Sequence, residues 1–409
     1  MTADAAMTKP TTAAKPFRRR VFYIPGYDPF HPRRYRELFR KEGQAQAAIS
    51  GYQIDLKPKS TKGPYGWTAS TTINGQTAEA DVEVLVWADI VKSSMDLGIA
   101  RTYLQLIRTA WAYIGSGALF RLMRLRKGPM IAALYPIVFL LSQLAISLLA
   151  AWGLGALIAH FTHPALGLIA GAGLVWAMLT AFRRYDNKVF AYYLMHDYAY
   201  SAQSGGANPP ELEARMAEFR TTIRAALDQE FDEVLVVGHS SGAHLAVSIL
   251  SDMIRQGLPE TRPALGFLSL GQVVPMVSFL PKATRLRGDL AYLSARDEMT
   301  WVDVSAPGDG CAFALCDPVS VTGVAPTDQK WPLIQTAAFT QTLSPARWAE
   351  LRWRFFRLHF QYLCAFDRPG HYDYFQITAG PTTLAARYAN RPAAKSRIET
   401  PLSGYRTTA

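Results

Sequence analysis

The stretch VLVVGHSSGAHLAVSIL, residues 234–250, places a serine between two glycines where one sequence pattern gives way to another. The apolar run 233–238 is typical of a strand buried on both faces. After Ser240 the apolar residues recur at helical spacing. Gly238 and Gly242 permit a tight strand-to-helix turn that exposes the serine hydroxyl. Ser240 is therefore a candidate nucleophile, and the alternatives are a structural turn of small residues or a catalytically inactive relic.

The motif Gly238-His239-Ser240-Ser241-Gly242 resembles the nucleophile elbow of the α/β-hydrolase superfamily, and the resemblance covers about 19–94 and 191–378. The Ser241 backbone N–H, at the start of the next helix, can face a developing oxyanion. The resemblance implies a second oxyanion donor after an early strand. In this sequence that loop is IPGYDPF, and the Tyr27 backbone N–H is the candidate, although the loop departs from the His-Gly often found there.

The resemblance also implies an acidic residue after the serine, followed by a histidine. Asp309 fits the acid, because it lies in a loop just past the predicted strand 300–304. Asp303 within that strand and Asp317 further along are interpreted as structural. An ionised carboxylate at this place would hold one imidazole tautomer and stabilise the imidazolium that forms.

Two histidines follow Asp309, and the sequence leaves the choice between them open. His371 lies in RPGHYDYF, a loop by its Pro-Gly, which is where the family usually carries its histidine. His359 lies in RLHFQYL, at the end of a predicted helix that opens with Ser344-Pro345. The alternatives are a solvated loop histidine at 371 and a satisfied core histidine at 359. Neither His239 nor His244 is assigned the role of base.

A serine activated by a histidine attacks a carbonyl, forms an acyl-enzyme and passes the acyl group to water. The sequence thus predicts a serine esterase or lipase. Two alternatives remain: a non-catalytic membrane scaffold with the same fold, and an acyltransferase that uses the same serine. No metal or cofactor is expected. Cys311, Cys316 and Cys364 lack zinc-site spacing, and His160 and His163 have no thiol or carboxylate beside them.

The positioning elements are predicted to form an α/β fold, a doubly wound and mostly parallel sheet interrupted by an all-helical insert. Strands and helices alternate on either side of the insert. The predicted strands are 19–26, 81–87, 233–238, 264–271 and 300–304, and the predicted helices are 32–48, one starting after Asn208 and one from the elbow to Gln256. The chain is predicted to divide into a disordered leader 1–17, the first part of the hydrolase-like domain 18–94, the helical insert 95–190, the second part of that domain 191–380 and a C-terminal tail 381–409.

Residues 128–182 contain no Asp, Glu, Lys or Arg. Within them, 131–159 and 164–182 are each long enough to cross a bilayer, and the alternative is a hairpin buried in a soluble protein. Basic residues flank both ends, which predicts a two-pass protein with both termini and the catalytic domain in the cytoplasm. Gly167, Gly171 and Gly173 give the second helix a smooth packing face.

The chain carries a formal net charge of +11. Its basic clusters flank the uncharged tract without a nucleic-acid-binding signature, so we expect a lipid bilayer as partner and no nucleic acid. The segment 95–128 mixes apolar and basic residues, which is typical of an interfacial amphipathic helix or a cap over the site. The expected substrate is an apolar acyl ester delivered from the membrane.

Overall fold

The structure is a computed structural model and describes residues 15–408. Of the predicted leader, residues 1–14 lie outside the described part of the chain. Phe17, assigned to that leader, already begins the first strand.

An eight-stranded mixed sheet organises the molecule. Its strands are β1 (Phe17–Ile24), β2 (Gln53–Pro58), β3 (Gly66–Ile73), β4 (Gln76–Val84), β5 (Glu233–His239), β6 (Ala264–Leu270), β7 (Thr300–Ser305) and β8 (Leu333–Thr336). The order across the sheet is β2-β3-β4-β1-β5-β6-β7-β8. β3 is antiparallel to both neighbours, and the other adjacent pairs are parallel. The predicted α/β class with a mostly parallel sheet is confirmed.

The two central strands, β1 and β5, determine where the site forms. They pair in parallel, with Val21 opposite Leu235 and Tyr23 opposite Val237. The chain leaves β1 towards one edge of the sheet, through β2, β3 and β4, and leaves β5 towards the other edge, through β6. In open α/β sheets a crevice forms at the carboxyl ends of strands where the order reverses in this way.

Helices cover both faces of the sheet and form a separate apolar core on each. On the first face lie α1 (Arg33–Ser50), α14 (Phe339–Thr342), α15 (Pro345–Leu351), α16 (Phe355–His359), α17 (Tyr374–Ala379) and α18 (Leu384–Tyr388). On the second lie α2 (Ala88–Met95), α9 (Pro210–Ala226), α10 (Gly242–Arg255), α11 (Val274–Ser278), α12 (Thr284–Ser294) and α13 (Pro318–Thr322). Short 3-10 turns cover Gln203–Gly206 and Phe360–Leu363.

The insert between β4 and β5 is entirely helical. It contains α3 (Ile99–Gly115), α4 (Ala118–Leu125), α5 (Lys127–Phe161), α6 (Pro164–Arg184) and α7 (Asp186–Val189), followed by α8 (Ala191–Ala202). We call α5 and α6 the hairpin. Both helices are long and apolar enough to cross a membrane. The turn between them is capped by His163, whose Nδ1 accepts from the Ala165 backbone N–H at 3.1 Å.

Small residues bring the two helices of the hairpin into close contact. A Cβ added to Gly167 would lie 2.3 Å from the Gly155 carbonyl oxygen, and one added to Gly171 would lie 3.1 Å from the Ala151 carbonyl oxygen. Gly173, also predicted on this face, has no atom within 4 Å of such a Cβ. The packing face therefore runs through Gly167 and Gly171 and does not include Gly173, because a residue two positions on points to another side of the helix.

The outer surface of the insert carries large apolar side chains. Trp152 and Leu168 of the hairpin are 75% and 76% exposed. Trp111 on α3 is 77% exposed, beside exposed Leu104 and Ile107. A buried hairpin would hide such side chains, and contiguous exposed apolar surface marks a partner or a membrane.

The structure differs from the sequence-based assignment at several boundaries. β2 and β3 were not predicted, and the strand predicted at 81–87 coincides with the end of β4 only over residues 81–84. The helix predicted from Ser344 to His359 is two short helices, α15 and α16, separated by Arg352–Arg354. The predicted tail 381–409 packs on the body, where the Arg287 Nε donates to the Thr407 carbonyl oxygen at 2.7 Å.

Candidate active site

The loops that leave β1 and β5 approach each other closely at the crevice. A Cβ added to Gly26, in the loop after β1, would lie 2.9 Å from the Ser240 Cβ. Only a residue without a side chain fits this approach. The two loops therefore face each other across a gap narrow enough for both to contact one reacting group.

Ser240 occupies the turn between β5 and α10 in a backbone conformation that side chains rarely adopt. Its φ is +57°, and such conformations are retained where surrounding contacts enforce them. Its N–H donates to the Leu270 carbonyl oxygen at 2.9 Å, and its own carbonyl oxygen accepts from the Ala243 N–H at 3.1 Å. These bonds fix the turn from both sides.

The flanking glycines are required by backbone proximity. A Cβ on Gly238 would lie 2.7 Å from the Ala243 Cα, and one on Gly242 would lie 2.1 Å from the Ile24 carbonyl oxygen. Both contacts are with backbone, which cannot rotate away. Steric contact with the backbone therefore explains why glycine lies two residues before and two residues after Ser240.

Asp309 and His359 form a buried hydrogen-bonded pair. The His359 Nδ1 lies 2.7 Å from the Asp309 Oδ2, which also accepts from the Tyr362 hydroxyl at 3.0 Å. The Cys311 backbone N–H donates to the Oδ1 at 2.9 Å. Burial raises the pKa of the Asp309 carboxyl, but His359 and these donors outweigh it, so the pKa lies below its ordinary value. Asp309 is thus ionised at neutral pH and holds the imidazole by its Nδ1.

The second nitrogen of His359 is buried and is not used by the contact with Asp309. His359 and Ser240 line one cavity, which encloses about 760 Å³ when the part open to solvent is included. Within residues 15–408 the buried His359 Nε2 has no hydrogen-bond partner. An imidazole bound to a carboxylate at one nitrogen and free at the other is arranged to accept a proton.

The structure does not bring His371 into this cavity. It lies on an exposed turn, where its carbonyl oxygen accepts from the Arg387 guanidinium at 3.4 Å. The position of His359 depends on the break between α15 and α16 and on the turn that follows. The sequence pattern did not reveal that break, which is why the two histidines could not be ranked.

His239, next to the serine, contacts His359 through its ring and through a hydrogen bond. Its ring stacks on that of His359 with centroids 4.8 Å apart. Its Nε2 lies 3.1 Å from the His359 carbonyl oxygen, which can only accept, so the Nε2 donates and the Nδ1 accepts from the Tyr23 hydroxyl at 3.2 Å. Burial and the charge of His359 lower the pKa of His239 to about 3. His239 is a neutral positioning residue.

The two predicted oxyanion donors line the same cavity as the serine. Within the described chain neither the Tyr27 nor the Ser241 backbone N–H donates to another residue. The Tyr193 hydroxyl, from α8, donates to the Tyr27 carbonyl oxygen and ties this loop to the helix after the insert. Free backbone donors beside a half-buried serine can stabilise negative charge on a carbonyl oxygen.

The other predicted acids occupy structural positions. The Asp303 Oδ2 accepts from the Ser269 hydroxyl at 2.6 Å inside the sheet. The Asp317 side chain caps α13 by accepting from the Val319 and Ser320 backbone N–H groups. Neither lines the cavity that contains Ser240.

One group of potential metal ligands occurs in the described residues: Asp309, Cys311 and His359, with ligand atoms within 4.8 Å of one another. Burial and the charge of Asp309 raise the pKa of the Cys311 thiol well above its ordinary value. A metal ion needs a thiolate, and the Nδ1 of His359 already bonds the carboxylate. The donor set therefore fits a hydrogen-bonded pair better than a metal site.

Asp197 was not predicted from the sequence. It lies on α8 and lines the cavity with Ser240 and His359. Burial raises its pKa to about 7, against the opposing charge of His359. No local motif marks it, because its burial arises from the way α8 covers the crevice.

Comparisons of the chain with protein-family models, with curated proteins and with solved structures found no match.

Proposed function

We propose that the chain is a membrane-bound serine hydrolase of the α/β-hydrolase type that cleaves an acyl ester. One observation carries the proposal. Ser240, on a turn with positive φ, shares a cavity with His359, whose Nδ1 is held by the buried carboxylate of Asp309. His359 takes the role of base in this proposal, and His371 does not, because it is exposed and outside the cavity.

The proposed reaction follows from the roles of these groups. The His359 Nε2 accepts the Ser240 proton as the serine oxygen attacks the ester carbonyl, and Asp309 stabilises the imidazolium. The Tyr27 and Ser241 backbone N–H groups donate to the resulting oxyanion. The imidazolium then protonates the leaving alcohol. Water, deprotonated by the same nitrogen, then attacks the carbonyl of the acyl-enzyme. The bond to the Ser240 oxygen breaks, the imidazolium returns the proton to that oxygen, and the acid leaves.

The membrane part of the proposal rests on the hairpin and its flanks. The α5 and α6 helices are long and apolar enough to cross a bilayer, and their outer faces are exposed and apolar. Basic residues lie at both outer ends: Arg124, Arg126 and Lys127 before, and Arg183, Arg184 and Lys188 after. Because cytoplasmic flanks carry such residues, we place both termini and the catalytic domain in the cytoplasm.

The start of α5 adjoins the reacting groups. Pro129 lines the cavity that contains Ser240. A Cβ on Gly128 would lie 3.3 Å from the Gly310 Cα, one residue after Asp309. This arrangement supports a substrate that reaches the serine from the bilayer, as an apolar acyl ester would.

Purified protein, assayed against a panel of acyl esters, tests the proposal. We expect hydrolysis by the wild type and its loss in Ser240→Ala, whereas Ser60→Ala, at an exposed loop position, retains activity. Hydrolysis by Ser240→Ala at the wild-type rate would refute the assignment of the nucleophile. No hydrolysis of any ester by the wild type would favour a non-catalytic scaffold.

A further inference from the structure

A second cavity opens from the active site on the side of α9. It shares Tyr27, Asp197, Ser201 and Ser241 with the cavity that contains Ser240. Because Tyr27 and Ser241 are the proposed oxyanion donors, a group in this second cavity lies next to the carbonyl under attack. We call it the polar cavity.

Polar groups in the wall of the polar cavity lack partners. The His244 Nδ1 and the Tyr200 hydroxyl belong to lining residues, and neither atom has a hydrogen-bond partner within residues 15–408. The Asp197 side chain makes no hydrogen bond to another described residue either. Buried polar atoms in native proteins are nearly always paired, so the His244 Nδ1 and the Tyr200 hydroxyl require an explanation. A ligand that supplies hydroxyl groups would satisfy both atoms and would give the partly buried Asp197 carboxyl a partner as well.

The charge of the polar cavity is close to zero at neutral pH. Burial lowers the pKa of His244 to about 4, so its imidazole is neutral. Burial also raises the pKa of Asp197 to about 7, so a large fraction of this carboxyl is protonated. A neutral imidazole, a phenol and a carboxyl group suit hydrogen bonds to an uncharged ligand.

No lysine or arginine lines the polar cavity or the cavity of Ser240 in the described chain. Arg34 reaches the rim, where it pairs with Asp28 at 3.5 Å and covers the ring of Phe360. A phosphate group in the polar cavity would have no countercharge, and its desolvation would be costly.

A third cavity is apolar and also adjoins the cavity of Ser240. It is lined by residues of α3, α4, α5 and α8, and it shares Tyr198 and Met276 with the cavity of Ser240. Tyr113, Met130, Ile137 and Met195 are among its walls. The cavity of Ser240 thus adjoins both the polar cavity and an apolar cavity lined largely by the insert, which suits an acyl chain.

We propose that the polar cavity binds the alcohol part of the ester and selects an uncharged, hydroxyl-bearing alcohol of the glycerol type over a phosphorylated one. Asp197 is its central binding residue. This inference rests on the proposed function, because the alcohol is the leaving group of the reaction at Ser240.

Ether lipids test the inference without catalysis, since an ether cannot be cleaved. Full-length protein in lipid nanodiscs is titrated with a monoalkylglycerol ether and with the alkyl glycerophosphate of the same chain. We expect the glycerol ether to bind at least about tenfold more tightly, the factor that one or two satisfied hydrogen bonds supply. In Asp197→Leu this ratio falls to about threefold or less. Asp197→Asn, whose amide donates and accepts like a protonated carboxyl, keeps most of it.

A matched control removes an aspartate elsewhere. Asp228→Leu, at a side chain that is 59% exposed, should leave the binding ratio unchanged. Equal binding of the two ethers by the wild type would overturn the inference, and so would an unaltered ratio in Asp197→Leu. Misfolding of Asp197→Leu leaves the inference falsifiable, because equal binding of the two ethers by the wild type overturns it without that variant.

The same measurements separate this inference from the hydrolase proposal. Ester hydrolysis that requires Ser240, combined with equal binding of the ethers, would overturn the polar cavity only. A preference for the glycerol ether that depends on Asp197, in a protein without hydrolysis, would support the binding site and contradict the reaction.

Discussion

The sheet body and the hairpin handle polar and apolar groups in opposite ways. In the body, buried charged groups have polar partners: the Arg19 Nε lies 2.6 Å from the Glu233 Oε2 with both side chains 1% exposed, and Asp309 holds His359. In the hairpin, large apolar side chains such as Trp152 and Leu168 face outwards. The surface and core of the body are those of a protein in water, whereas the outer surface of the hairpin matches an apolar surrounding such as a bilayer.

The two regions meet at the candidate site. The Tyr193 hydroxyl on α8 bonds the loop of Tyr27, and Pro129 at the start of α5 lines the cavity. The reacting groups therefore belong to the body, whereas part of the wall around them belongs to the insert. Substitutions in the body should therefore alter catalysis, whereas substitutions in the hairpin should alter membrane association or the stability of the hairpin.

The largest expected effect concerns His359, the proposed base in the body. His359→Ala should lower kcat for an acyl ester by on the order of 10⁴-fold or more, because the serine loses its proton acceptor. His371→Ala, at an exposed turn, should change kcat by less than about twofold. Steady-state kinetics on the two purified variants make the comparison. Equal losses, or a larger loss in His371→Ala, would reverse the assignment.

The next effect concerns the outer face of the hairpin. Leu149→Arg places a charge at an apolar position that is 68% exposed, at a cost of about 2.5–3.5 kcal/mol if this position lies in the bilayer centre. We expect the fraction of protein resistant to alkaline extraction of membranes to fall. Ile49→Arg, at an exposed apolar position on α1 of the body, is the control. If both variants remain fully in the membrane fraction, the hairpin does not anchor the chain there.

Helix contact within the hairpin should give a smaller effect. Gly167→Val directs a side chain into the Gly155 carbonyl and should destabilise the hairpin by about 1–3 kcal/mol. Gly173→Val carries the same side chain in the same helix, where no atom lies within 4 Å. Thermal unfolding in detergent should show a lower Tm for Gly167→Val alone. Identical Tm values would exclude the close contact.

The smallest effect concerns a buried carboxyl of the body. Burial raises the pKa of Asp303 to about 7, so the folded state retains a proton that the unfolded state releases near pH 4. Stability from this group is complete below about pH 4 and is lost as pH rises through about 7. Asp303→Asn does not titrate, so the fall in Tm between pH 5 and pH 8 should shrink by about 2 °C or more. An unchanged pH dependence would contradict the raised pKa.

Local patterns explain which parts could be predicted from the sequence. The elbow was recognisable because strand, glycines, serine and helix are adjacent in the chain. The hairpin was recognisable because both of its helices are apolar over nearly their whole length. β2 and β3 could not be predicted, because their sequences QIDLKP and GWTASTTI carry polar residues on their exposed faces and lack a continuous apolar run.

The remaining features depend on contacts between distant segments. Only the break between α15 and α16 places His359 beside Asp309, 50 residues earlier in the chain. Asp197 becomes a cavity residue because α8 covers the crevice. Neither placement produces a periodicity or a motif in the sequence. The positions of His359 and Asp197 could therefore not be predicted from neighbouring residues.

Covalent labelling of Ser240 tests the central claim most directly. Membrane fractions that contain the full-length chain are treated with a fluorophosphonate probe, and the modified residue is identified by mass spectrometry. A serine activated by His359 and Asp309 should be labelled, with the label on Ser240, and Ser240→Ala and His359→Ala should abolish it. An intact, membrane-bound wild type that takes up no label would contradict the account.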